Sequence, residues 1–256
     1  MWDKPESLHM ISNTLFGVCF LLVLYGALHY ALHLPMFALR VVSISNSPRQ
    51  VDPVQIASTV RNSLRGNFFT INLEQTRQAF ESIPWVRKVN IRRHFPWQLE
   101  IGLEEHVALA HWNNTDLVST HGEIFSARTN EQLPKFIGQP DSAVEMVQMF
   151  TTLTTKLAPL KQEITEIDLS PRRSWRLRLS SGMQLELGRE QTVQRLTRFV
   201  AVYPHSLMPI QQNHELLRPG KTQHQIAHVD LRYSNGYAAY LSDTTNSLKM
   251  TGEKAM

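Results

Sequence analysis

Only one cysteine, Cys19, occurs in the 256 residues, so no intramolecular disulfide can form and burial must hold the fold together. Charge is missing from one long stretch: no Asp, Glu, Lys or Arg lies between Glu6 and Arg40. The signatures of common chemistries are absent as well. The chain has no Walker loop, no G-x-G-x-x-G, no G-x-S-x-G elbow and no H-E-x-x-H. Lys and Arg exceed Asp and Glu for a net charge of +4 and a pI near 9.3, yet they are scattered among acidic residues. That scatter argues against a nucleic-acid arm.

Within the uncharged stretch, Thr14–Leu34 is an apolar run of 34 − 14 + 1 = 21 residues. As a helix it is about 31 Å long at about 1.5 Å per residue, which matches a hydrocarbon core of about 30 Å. A helix bonds its own backbone and so leaves no polar group stranded in lipid. Pro35, which lacks an N–H, is expected to end it. The run is too long for the core of a cleavable signal peptide, its leader carries only Lys4, and no small-x-small site precedes Arg40. The sequence therefore predicts a retained anchor at 14–34 with a short tail at 1–13. Lys4 on one side and Arg40 and Arg49 on the other leave the orientation undetermined by flanking charge.

After the span, Phe37–Ile44 reads as a strand. Asp52-Pro53 opens a helix, with Asp as cap and Pro at its first position, and Ile56, Val60 and Leu64 line one face. Asn72 caps a second helix, with Gln75 at the capping-box position; Leu73, Thr76, Phe80 and Ile83 form its stripe. A hairpin follows. Val89 and Ile91 alternate with polar residues, His94-Phe-Pro-Trp97 turns, and Leu99, Ile101 and Leu103 alternate on the way back. This β-α-α-β-β order and the stretch Pro84–Ala110 resemble a POTRA domain over about residues 39 to 107: proline and aromatic before the second strand, Arg before a Pro-containing turn, and a third strand ending in Glu.

The region 108–241 is predicted to be mainly antiparallel strand with flanking helices. A helix capped by Asp141 or Ser142 carries Ala143, Val147, Phe150 and Leu157, with Met146 and Met149 read as core or helix surface. Trp175, Leu177 and Leu179 face Met183, Leu185 and Leu187 across Ser180-Ser-Gly182, with Arg176, Arg178, Gln184 and Glu186 on the opposite face. Val193, Leu196, Val200 and Tyr203 stripe another helix, and 211–225 reads as a polar loop. Val229, Leu231 and Tyr233 then alternate up to Asn235-Gly236, read as a type I′ turn, and Tyr237–Leu241 returns as the last strand. Residues 242–256 read as a disordered tail.

Arg173-Ser-Trp175, Leu187-Gly-Arg189, Arg198-Phe199, Tyr203-Pro204 and above all Val229-Asp-Leu-Arg-Tyr233 with Gly236 are similar to the FtsQ/DivIB family, in that family's order over almost the whole chain. The resemblance implies an α+β, non-enzymatic cell division protein. Its amino terminus would be cytoplasmic, with one inner-membrane span, both folded domains periplasmic, and the protein concentrated at the septum. It also implies partners: an FtsB/FtsL-like pair, with other divisome proteins docking on the POTRA domain. A competing reading is a POTRA-bearing secretion or outer-membrane assembly factor, but nothing after Leu241 supplies the alternating strands of a barrel.

Eleven histidines, with His29/His33 and His224/His228 at i, i+4 spacing, form no metal motif, and no catalytic residue or cofactor site is expected. What remains is recognition. The last strand has no Lys, Glu or Pro guard between Tyr237 and Leu241, and an uncovered edge invites β-augmentation. The candidate partner-binding residues are Arg189, Arg232, Tyr233, Gly236, Tyr237, Ala238, Ala239, Tyr240 and Leu241. Arg189 reads equally as a solvated charge or as the counterpart of an acidic partner segment. Tyr233 and Tyr240 read as sheet packing or as interface anchors.

Overall fold

A computed structural model of the chain describes residues 5–32, 37–46, 48–64, 66–207, 224–233 and 236–243. Two compact units divide it at His106/Val107.

In the first unit, helix α1 runs Pro5–Leu32. It therefore takes in residues 5–13 of the short tail expected at 1–13. Proline suits a first helical turn, where its missing N–H has no helical partner to lose. Its stretch His9–Ala31 is long and apolar enough to cross a membrane. Thr14 lies inside that stretch and returns its hydroxyl to the Met10 carbonyl at 2.7 Å, which satisfies it within the helix. The expected stop at Pro35 lies outside the described residues.

The rest of this unit is a three-stranded sheet, β1 (Val41–Ile44), β2 (Val86–His94) and β3 (Gln98–Glu105), ordered β1-β3-β2, with α2 (Pro53–Ser63) and α3 (Leu73–Glu81). Strand β1 pairs parallel with β3, and β2 antiparallel. Both predicted caps are in place: Asp52 accepts from the Val54 N–H, and Asn72 accepts from the Glu74 and Gln75 N–H groups. The alternating residues Val89, Leu99, Ile101 and Leu103 bury one sheet face in a core with Ile56, Phe80 and Ile83 from the helical segments. Glu105, at the end of β3, accepts three backbone bonds, from Arg49, Gln50 and Val51, at 2.9, 3.0 and 3.0 Å. That carboxylate fastens the entry to α2 onto the sheet.

The second unit is one nine-stranded sheet. Its strands are β4 (Ala108–Trp112), β5 (Asp116–Ser119), β6 (Ile124–Phe125), β7 (Lys135–Ile137), β8 (Ile164–Leu169), β9 (Trp175–Leu179), β10 (Gln184–Gly188), β11 (His224–Asp230) and β12 (Ala238–Asp243). Their spatial order is β12-β11-β10-β9-β8-β7-β4-β5-β6. Most neighbours are antiparallel, but β4–β7, β7–β8 and β10–β11 are parallel. The helices explain two of these pairings: α4 (Ala143–Leu157) links β7 to β8, and α5 (Thr192–Ser206) lies in the connection from β10 to β11. Parallel neighbours need such a crossover. Met146, Leu153 and Leu157 of α4 and Leu196, Phe199 and Tyr203 of α5 pack on the inner residues Phe136, Ile167, Leu177, Leu185 and Val229.

The cap expected at Ser142 takes another form. A 3-10 turn, Pro140–Ser142, leads into α4, and the Ser142 hydroxyl donates to the Gln139 carbonyl instead of accepting a helix N–H.

The last hairpin also differs from its sequence reading. Strand β11 starts at His224, inside the stretch expected to be loop, and ends at Asp230. Strand β12 starts at Ala238 and reaches Ser242 and Asp243, which were assigned to the tail. Tyr233, Gly236 and Tyr237 therefore lie in the connection, not in strands. The turn read at Asn235-Gly236 includes Asn235, which lies outside the described residues. The physical reason is at Asp230: its carboxylate accepts the Arg232 backbone N–H at 2.9 Å, a turn two residues long that draws the chain out of the strand.

Candidate partner-binding edge

Among the described residues, β12 is the terminal strand of the sheet. The direction of its free backbone groups follows from one bond. The Leu231 N–H donates to the Glu186 carbonyl at 2.9 Å, continuing the parallel β10–β11 ladder. Backbone groups of successive strand residues point to opposite sides, so Val229 and Leu231 address β10, while His228 and Asp230 address β12. Asp230 pairs with Ala238 and His228 with Tyr240. Those are the hydrogen-bonded pairs, and Val229–Ala239 is a non-hydrogen-bonded one. The N–H and C=O of Ala239 and Leu241 therefore point off the edge.

The two faces of β12 differ. Ala239 and Leu241 lie opposite Val229 and Ile226, which are buried, so they continue the core side of the sheet. Leu241 is nonetheless 51% exposed, because among the described residues no strand lies beyond it. Ala238 and Tyr240 lie on the other face; the Tyr240 ring sits 5.5 Å from that of His228 and is 56% exposed.

That outer face carries a row of charges. Asp168 on β8 meets Arg176 on β9 at 3.5 Å, and Arg176 approaches Glu186 on β10 at 4.0 Å. Glu186 also approaches His228 at 3.9 Å and Arg232 at 3.1 Å. Burial pushes the Asp168 carboxyl up, with Arg176 opposing. Asp230 moves the other way: its hydrogen bonds to the Arg232 side chain hold it below the usual carboxylate range, and Arg232 is correspondingly raised.

The candidate residues thus separate. Ala238, Ala239, Tyr240 and Leu241 form one continuous edge. Arg232 is committed to Asp230 and Glu186, with part of its guanidinium still exposed. Tyr237 is packing: its ring meets Phe199 edge-on at 6.0 Å, and its hydroxyl bonds that of Ser206 on α5. Tyr233 is exposed in the connection. A small pocket of about 140 Å³ opens beside Gly236 and Tyr237 against Arg198 and Val202. Arg189 is exposed on the turn after β10, with Glu190 as its recorded ion partner at 3.1 Å. Glu186 and Asp230 are not among the candidates read from sequence, which placed Glu186 only on the charged sheet face and Asp230 only in the family motif, although an acid two residues before Arg232 is a signal in plain view. Among the described residues no group of metal-ligating side chains occurs.

Comparisons with known proteins bear on the same regions. Residues 37–106 match the model "POTRA domain, FtsQ-type", and residues 110–232 match "Cell division protein FtsQ/DivIB, C-terminal". Cell division protein FtsQ of Nitrosospira multiformis is 40% identical over 244 residues, covering 93% of this chain and 98% of that protein. The Burkholderia pseudomallei protein of the same name is 34% identical, covering 97% and 100%. That of Escherichia coli is 37% identical over 179 residues, covering 68% and 61%.

Proposed function

The chain belongs to the FtsQ/DivIB family of cell division proteins, and from that premise we propose that it is a non-enzymatic scaffold of the divisome. It is anchored in the inner membrane by α1, with its amino terminus cytoplasmic and its folded units periplasmic at the septum. It receives a strand from an FtsB/FtsL-like complex at β12. The POTRA unit serves other division proteins.

The observation that carries this reading is the unguarded edge at Ala239 and Leu241, whose backbone groups face outward. An added strand would satisfy those groups and cover Leu241 on one face and Tyr240 on the other. Main-chain bonds supply affinity in this mode, and alternate side chains supply specificity. Arg189 and the free part of Arg232 supply positive charge for an acidic segment flanking that strand. The test is co-purification of a tagged FtsB/FtsL-like pair with the full-length protein. Ala239→Pro removes an outward N–H, a position where edge strands tolerate proline, and should abolish capture while the circular dichroism spectrum is retained. Ala238→Pro removes an inward N–H that pairs with Asp230 and should lower stability as well. Undiminished capture by Ala239→Pro overturns strand addition.

A further inference from the structure

The first unit carries a cluster of aromatic residues in which Phe69, Phe95 and Trp97 are exposed around the buried Phe68. Phe37 and Phe69 meet edge-on at 5.1 Å, Phe68 touches Phe69 at 5.2 Å and Phe95 at 6.0 Å, and the Phe68 N–H donates to the Phe37 carbonyl. Alongside, the Trp97 carbonyl accepts from the Arg40 N–H, and the Arg40 guanidinium lies 5.4 Å from the centre of the Trp97 ring. Phe95 is 73% exposed, and Phe69, Trp97 and Arg40 are exposed too. Phe69 is not left out by slack: the Asn67 side-chain oxygen accepts the N–H groups of Phe69 and Thr70 at 3.0 Å, and Thr70 Oγ1 accepts the Asn67 N–H at 2.9 Å. A rigid turn holds that ring where it is.

Phe37, a member of the patch, is five residues beyond Leu32, the last residue of α1. Five residues span at most about 18 Å fully extended. The patch is therefore tethered next to the end of the apolar helix, whichever way that helix points. Aromatic rings with an apolar body and arginines with a long stem are the side chains that settle at the headgroup level of a bilayer. We propose that this patch docks on the surface of an anionic phospholipid bilayer, with Trp97, Phe95 and Phe69 in the headgroup layer and Arg40 on lipid phosphate. The inference rests on α1 spanning the membrane. Its consequence is that the POTRA unit is held at a fixed tilt against the membrane and does not swing freely on its tether.

The full-length protein in phosphatidylcholine/phosphatidylglycerol vesicles tests this. The chain has five tryptophans, so the Trp97 signal is the difference between wild type and Trp97→Phe. With lipids brominated near the headgroup, most of that difference emission should be lost, and aqueous iodide should quench it little. Phe95→Glu, at a position that is 73% exposed, should restore the emission. Retention of the chain in vesicles after alkaline extraction checks the span separately. An extracted chain overturns the spanning reading and the docking with it. A retained chain whose Trp97 signal is quenched by iodide and not by bromolipid overturns the docking alone, as does shielding that needs an added protein.

Discussion

Arg232 grips Asp230 with two nitrogens, Nε 2.9 Å from Oδ1 and Nη2 2.6 Å from Oδ2, just past the end of β11. The carboxylate is buried and also takes the Arg232 backbone N–H. This clamp sets where the last hairpin leaves the sheet. Asp230→Asn should therefore destabilise the protein by about 2 kcal/mol in urea denaturation, the scale of a hydrogen bond to a charged group. The pH dependence has a definite sign. The folded pKa of Asp230 is lowered, so its contribution is complete above the ordinary carboxylate value of about 3.9 and fades as pH falls through the folded value. The gap between wild type and Asp230→Asn should be level from neutral pH to about pH 5 and shrink under more acid conditions.

Arg189 has the opposite character. It is exposed, and its recorded ion partner is the neighbouring Glu190. Arg189→Glu should leave the unfolding free energy from urea denaturation within about 0.5 kcal/mol of wild type. Capture of an acidic partner should be slowed at low salt, because surface charge acts mainly on association. Unchanged association kinetics at low salt would remove Arg189 from the interface.

Glu105 ties down Arg49, Gln50 and Val51 by their N–H groups. Glu105→Ala releases all three at the entry to α2. The expected loss is about 1–3 kcal/mol, and amide exchange should rise at residues 49–51 before the rest of the sheet. Uniform protection there would contradict this role.

Gly188 has φ +78°, and a Cβ there would come 2.6 Å from Arg195 Nη1 and 3.1 Å from Arg232 Cγ. That same Arg195 nitrogen donates to the Leu187 carbonyl at 2.7 Å. Gly188→Ala should lower stability by roughly 1–3 kcal/mol, from left-handed strain and a displaced arginine, and should disturb the neighbouring Arg232 clamp. The melting temperature and partner capture should fall together.

Local patterns were largely readable from sequence. The caps Asp52 and Asn72, the alternation Leu99–Ile101–Leu103 and the stripe Leu196–Tyr203 depend on residues a few positions apart, and each is where its spacing put it. Failures came where a side-chain contact, local or distant, decided. Tyr233 alternates correctly for a strand, yet the Asp230 carboxylate turns the chain away first. Tyr237 looked like edge surface and is packed on Phe199, because α5 comes to lie beside the connection.

The sequence by itself determined the apolar helix, the order of elements and the membership in a division family, since these are written in hydropathy, period and motif. It also marked the last strand as unguarded. Only the tertiary structure decided that β11 sits parallel to β10, and that parity aims the backbone of Ala239 outward and of Ala238 inward. Which face of a strand is free depends on which neighbour took the other, and that neighbour is more than forty residues away in the chain.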